Sequence, residues 1–169
     1  MMVLVYISML LAIAGVVGVI AYSGKIPKSI SAMVYSFPEL SVEKRGAPLL
    51  WSVWLITVGG LLVSPMMEML GDELCVFGFL TFGFLVGAAV TPLVNKATSD
   101  WHDFLGVSAG LMSQCVVSIL NPMWLICWAV YALCLPFKAT RGNLVLISEV
   151  VCAVSLYGSL LFNDGFLMQ

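Results

Sequence analysis

Hydrophobic residues in this chain come in long runs, without the alternation of a half-buried strand or the single stripe of a surface helix. Six runs stand out, at 2–22, 48–67, 74–95, 102–120, 123–137 and 144–163. A bilayer core about 30 Å thick is crossed by roughly 20 apolar residues of α-helix. The pattern therefore predicts an all-α polytopic membrane bundle of six transmembrane helices, forming a single domain over residues 1–169. The fifth run is short and follows the fourth across Asn121-Pro122, a breaker pair. Two full crossings joined by a tight hairpin and a re-entrant pair both fit that spacing.

The charges between the runs are sorted by side. Lys25, Lys28, Lys44 and Arg45 fall between runs one and two, Lys96 between three and four, and Lys138 and Arg141 between five and six. Glu68, Asp72, Glu73 and Asp164 fall on the opposite side. All seven basic residues thus lie on one side, which predicts both termini outside and three cytoplasmic connections. Composition agrees: 62% of residues are hydrophobic and 9% charged, with a mean hydropathy of +1.09. So few charges cannot cover a soluble globule of this size, and no basic surface for nucleic acid is present. The opening stretch MMVLVYISMLLAIAGVVGVIAYS lacks a basic leader and a cleavage site, and reads as a retained first span.

The 24–47 connection is the longest. A short interfacial helix over 27–36 would put Ile26, Ile30, Met33 and Val34 on one face, and an ordinary loop packed against the bundle is the alternative. Cys75, Cys115, Cys127, Cys134 and Cys152 all lie in apolar runs without a C-x-x-C pair, as small packing residues do. Ala14-x-x-x-Gly18, Gly83-x-x-x-Gly87 and Gly106-x-x-x-Gly110 have the spacing that lets membrane helices approach closely, within one chain or between copies in a homo-oligomer. Trp51, Trp54, Trp101 and Trp124 fall near run ends, where an aromatic belt would sit. The openings PLLWSVW and PMWLICW hint at an inverted repeat of three plus three helices, as in many transporters.

Polar residues inside the runs are the candidate chemistry. Glu149 stands five residues past Leu144, roughly 8 Å into the last run, where an acid is expensive and faces the protein interior by default. It borders a weakly polar stripe of Ser148, Cys152, Ser155 and Ser159. On the fourth run Gly106, Gly110, Gln114 and Ser118 share a face, so the two runs are expected to line one cavity or to hydrogen-bond each other. His102, the only histidine, lies between Asp100 and Asp103. Ser99 is expected to cap that helix, which would put His102 in its first turn and within reach of Asp103 or Glu149. One histidine cannot build a zinc site of the usual three or four ligands, and no hydrolase elbow or phosphate loop occurs. No metal and no cofactor are expected.

IPKSISAMVYSFPE, GFLVGAAVTPL and WHDFLGVSAGLMSQ resemble stretches of small multi-span proteins of Bacteroidota and their phages. The resemblance implies a bacterial cytoplasmic-membrane protein and transfers no activity or site residues. Three functions follow. In the first, the bundle binds a small molecule, lipid or ion in an intramembrane polar cavity, with transport as its extension; Glu149 and Gln114 contact the ligand or a coupling proton, and His102 and Asp103 form the cytoplasmic mouth. The second is a structural or accessory subunit acting through helix packing. The third is a lipid-modifying enzyme using His102 with Asp103 or Glu149 as general base.

Overall fold

A computed structural model describes residues 1–24, 26–30, 46–91, 96–138 and 140–163. Five α-helices and two 3₁₀ turns make up the fold, with no strand among the described residues. The helices are α1 (Met2–Ser23), α2 (Gly46–Val90), α3 (Lys96–Leu120), α4 (Cys127–Cys134) and α5 (Leu144–Leu161). Four helical segments, Met2–Ser23, Leu49–Val90, Ser99–Leu120 and Arg141–Leu161, are long and apolar enough to cross a membrane, and a shorter apolar segment covers Pro122–Cys134. The chain therefore has the character of a membrane protein.

Runs two and three merge into α2, which turns back on itself at one residue. Gly71, at φ 67 and ψ 176, breaks the helix, and only glycine enters that region freely. The arms on either side lie antiparallel: a Cβ placed on Gly78 would meet Met66 Cβ at 3.3 Å, and one on Gly59 would strike Leu85. Near the open end the Ser52 hydroxyl donates to the Ala89 carbonyl. The helical conformation thus runs through Glu68, Asp72 and Glu73, which the sequence pattern leaves to a loop. Pro65, fully buried in the first arm, removes one helical donor there.

Helix ends follow local rules elsewhere. Gly24 closes α1 in the left-handed conformation, its N–H donating to Ile20 O at 2.9 Å. Asn121 ends α3, and Pro122 opens the 3₁₀ turn Pro122–Ile126 that leads into α4. The expected cap at Ser99 is not where α3 starts: the helix begins at Lys96, so Ser99 lies inside it and His102 lies beyond its first turn. Of the proposed interfacial helix over 27–36, residues 28–30 are bends and 31–36 fall outside the described residues.

The apolar core occupies the half of the bundle toward Gly71. Val5, Leu62, Met66, Leu70, Val116, Val117, Leu156, Tyr157 and Leu160 pack together there, drawn from α1, α2, α3 and α5. Most of the remaining apolar side chains face outward. Val3, Leu10, Val53, Val107, Leu111 and Val145 are each at least half exposed, as lipid-facing residues are.

Candidate functional site

The other half of the α3–α5 contact is polar. On α3 it is built from Asp103, Gly110, Ser113 and Gln114; on α5 it is built from Glu149, Cys152 and Ser155. Close approach is permitted by Gly110, whose absent Cβ would sit 3.6 Å from Cys152 Sγ. Ser113, buried, lies within hydrogen-bonding reach of the Cys152 thiol. Deeper in, the Gln114 carboxamide oxygen accepts from Trp128 Nε1 at 2.9 Å and from Ser155 Oγ at 3.0 Å. Its nitrogen donates to Ser113 Oγ at 3.1 Å, while the Ser113 proton goes to the Gly110 carbonyl. One amide therefore joins α3, α4 and α5.

At the seam's outer end stands Glu149. Its Oε2 accepts the Ile30 backbone N–H at 2.5 Å, and a turn earlier the Leu146 N–H donates to the Lys28 carbonyl at 3.2 Å. The second bond satisfies one of the donors that a helix N-terminus leaves over. Together they fasten residues 28–30 to the start of α5. The Asp103 carboxylate, exposed on α3, lies within electrostatic range of Glu149. Two acids from neighbouring helices thus lie within range of one another's charge.

His102 turns toward a different partner. Its side chain is 7% exposed, and Nδ1 lies 3.2 Å from the Thr91 carbonyl. A carbonyl only accepts, so Nδ1 carries the proton in that contact. The bond ties α3 to the last residues of α2, where Thr91 also donates its hydroxyl to Gly87 O. The structure thus places Glu149 within electrostatic range of Asp103, sets Gln114 deeper on the same seam, and joins His102 to Thr91, just past the end of α2. Among the described residues, no group of three or more His, Cys, Asp or Glu side chains converges as metal ligands do.

Two interior features escaped the sequence reading. Ser8, fully buried in α1, donates to Val58 O at 2.7 Å and lies 2.7 Å from the Tyr157 hydroxyl of α5. Trp54 and Trp124, both half-buried, are knobs in glycine notches. The Trp54 indole lies over Gly15 and donates to Leu11 O at 3.1 Å, and the Trp124 ring fills the space beside Gly158. Glycine next to an aromatic at unrelated positions carries no periodic signal, so only contact geometry exposes such pairs. Trp101 does lie on the surface, 62% exposed and edge-on to Phe104. No family model, curated protein or solved structure matches this chain, so the reading of its site rests on geometry.

Proposed function

We propose that the protein is a six-span membrane protein that binds a small polar molecule, a lipid headgroup or an ion at the mouth of the α3–α5 seam. In this reading Asp103 and Glu149 hold the ligand, Gln114 anchors the seam below it, and His102 braces the α2–α3 connection beside the mouth. Transport is the natural extension. The membrane is the bacterial cytoplasmic one, with both termini outside.

The observation that carries the reading is the pairing of Glu149 with Asp103. Two carboxylates within range of one another's charge at the edge of an apolar bundle repel one another, and a proton, a cation or a donor-rich ligand relieves that repulsion. Residues 28–30 reach Glu149 through the Ile30 backbone N–H, a contact that an arriving ligand can replace. Six spans are supported by α2 folding back at Gly71 and by the apolar Pro122–Cys134 segment lying against α5, with Trp124 beside Gly158 and Trp128 sharing the Gln114 oxygen with Ser155.

A second reading, the structural or accessory subunit, is favoured by the Gln114 amide, whose oxygen and nitrogen are both engaged within the bundle. Native mass spectrometry of gently extracted protein separates the two, comparing wild type with Glu149→Gln and Asp103→Asn. A defined small species carried by wild type and lost from both variants supports binding at the mouth. Identical spectra without a bound species, together with a stable oligomer or a co-purifying subunit, replace the first reading with the second.

A further inference from the structure

We propose a second site, at the Gly71 end of α2, that seats a bilayer phospholipid whose headgroup ends in an ammonium group. A groove of about 500 Å³ runs along the outer side of the α2 hairpin. Gly60, Val63 and Met67 form its apolar wall, Glu68 and Asp72 form its rim, and Cys75 of the second arm lies across from them. Gly60 keeps the wall hollow: a Cβ there would meet only the Phe82 ring, at 3.8 Å.

The dimensions suit a lipid. From Gly60 to Glu68 the helix rises roughly 12 Å, enough for the upper part of an acyl chain. The apolar wall lies on a helix long enough to cross a membrane, so acyl chains are its natural neighbours. Ser64, between wall and rim, donates its hydroxyl to Met1 Sδ at 3.6 Å, so Met1 borders the groove at the depth of the ester groups.

Charge decides which lipid. Glu68 and Asp72 are both exposed, and they sit where the hairpin reverses. In the sequence the nearest basic residues are Arg45 and Lys96, both more than five helical turns away along the chain. An anionic glycerol headgroup would bring a negative phosphate against two carboxylates. An ethanolamine headgroup carries an ammonium beyond its phosphate, and that ammonium is the group two carboxylates hold. This site lies at the far end of the helices from Asp103 and Glu149, and it is independent of the ligand proposed there.

The test offers the purified protein equal amounts of phosphatidylethanolamine and phosphatidylglycerol and reads retained lipid by native mass spectrometry. Wild type should retain the ethanolamine lipid about two- to fivefold more, the size expected of exposed ion pairs. The doubly substituted protein, Glu68→Gln with Asp72→Asn, should show no preference while unfolding at the same temperature. Alkylation of Cys75, followed on its own peptide, should be slowed by the ethanolamine lipid in wild type only. Equal retention by wild type, or a preference for the glycerol lipid, overturns the proposal. So does an ethanolamine preference that survives in the variant or leaves Cys75 alkylation unchanged.

Discussion

The Ser8 hydroxyl and the Tyr157 phenol meet at 2.7 Å, joining the first helix to the last across 149 positions of sequence. Ser8 has one proton and gives it to Val58 O, so Tyr157 is the donor in the shared bond. Three helical segments are thereby fastened at one point inside the apolar core. The direction of the bond makes the two deletions unequal. Ser8→Ala strands a buried phenol proton and should cost about 1–3 kcal/mol, whereas Tyr157→Phe removes the donor and leaves Ser8 satisfied, costing about 1 kcal/mol or less. Thermal unfolding in detergent of the two single variants and the double variant checks this. Equal losses, or a double variant as damaged as the sum of the singles, would show that the bond is not shared as described.

Glycines separate into two kinds by what a methyl group would meet. At Gly158 it would strike the Trp124 indole, and at Gly15 it would lie 2.5 Å from the Trp54 ring. Gly18, Gly83 and Gly106 have open space. Gly158→Ala should therefore destabilise the bundle by about 1–3 kcal/mol through overpacking. Gly18→Ala, Gly83→Ala and Gly106→Ala should be neutral or stabilising by up to about 1 kcal/mol, the helix-propensity gain. Unfolding temperatures read the first effect. Size-exclusion chromatography with light scattering reads the second, because a fall in oligomeric mass at an open glycine would mean that another copy packs there.

What the sequence made legible follows from how the physics is written along a chain. Long apolar runs announce themselves, so the helical class and most segment positions could be read directly. Glu149 and Gln114 were legible because a polar group in an apolar run is conspicuous; Gln114 does bond α5, while Glu149 bonds the backbone of Ile30. Partners were not legible. The donor to Glu149 is a backbone N–H from residue 30, and the acceptor for His102 is a backbone carbonyl at residue 91; main chain has no sequence signature. A reversal between runs two and three was expected; what the pattern left to a loop is helix on both sides of Gly71. Among the spaced small residues, a Cβ on Gly87 would meet Leu105 at 3.2 Å and one on Gly110 would meet Cys152 at 3.6 Å, while one on Gly18, Gly83 or Gly106 would meet nothing within 4 Å.

Gln114 holds α4 as well as α5. Leucine at this position would fill similar volume but accept nothing, leaving the Trp128 indole N–H without its 2.9 Å partner. Ser155 keeps an alternative acceptor in Cys152 O at 3.0 Å, so the damage should fall on the Trp128 side. Gln114→Leu should destabilise by about 1–2 kcal/mol, in line with hydrogen bonds between membrane helices. It should also raise amide hydrogen exchange over 122–134 more than over 144–161. Uniform exchange changes would mean that the amide serves the whole bundle and not this joint.

Glu149 and His102 make the last contrast, because each is anchored to main chain at a different connection. Glu149→Ala removes the acceptor for Ile30 N–H and leaves the Leu146-to-Lys28 bond in place. Amide exchange over 26–30 should then accelerate, by about five- to thirtyfold if the charged acceptor was worth 1–2 kcal/mol. Glu149→Gln keeps a carbonyl oxygen at nearly the same place and should restore most of the protection. His102→Ala should act elsewhere, loosening the end of α2 around Thr91 while leaving 26–30 as protected as in wild type. If His102→Ala also released residues 26–30, the two ends would be one coupled unit and His102 would belong to the mouth. If neither Glu149 variant changed exchange there, the carboxylate would not be the fastener, and its burial would have to be explained by a ligand alone.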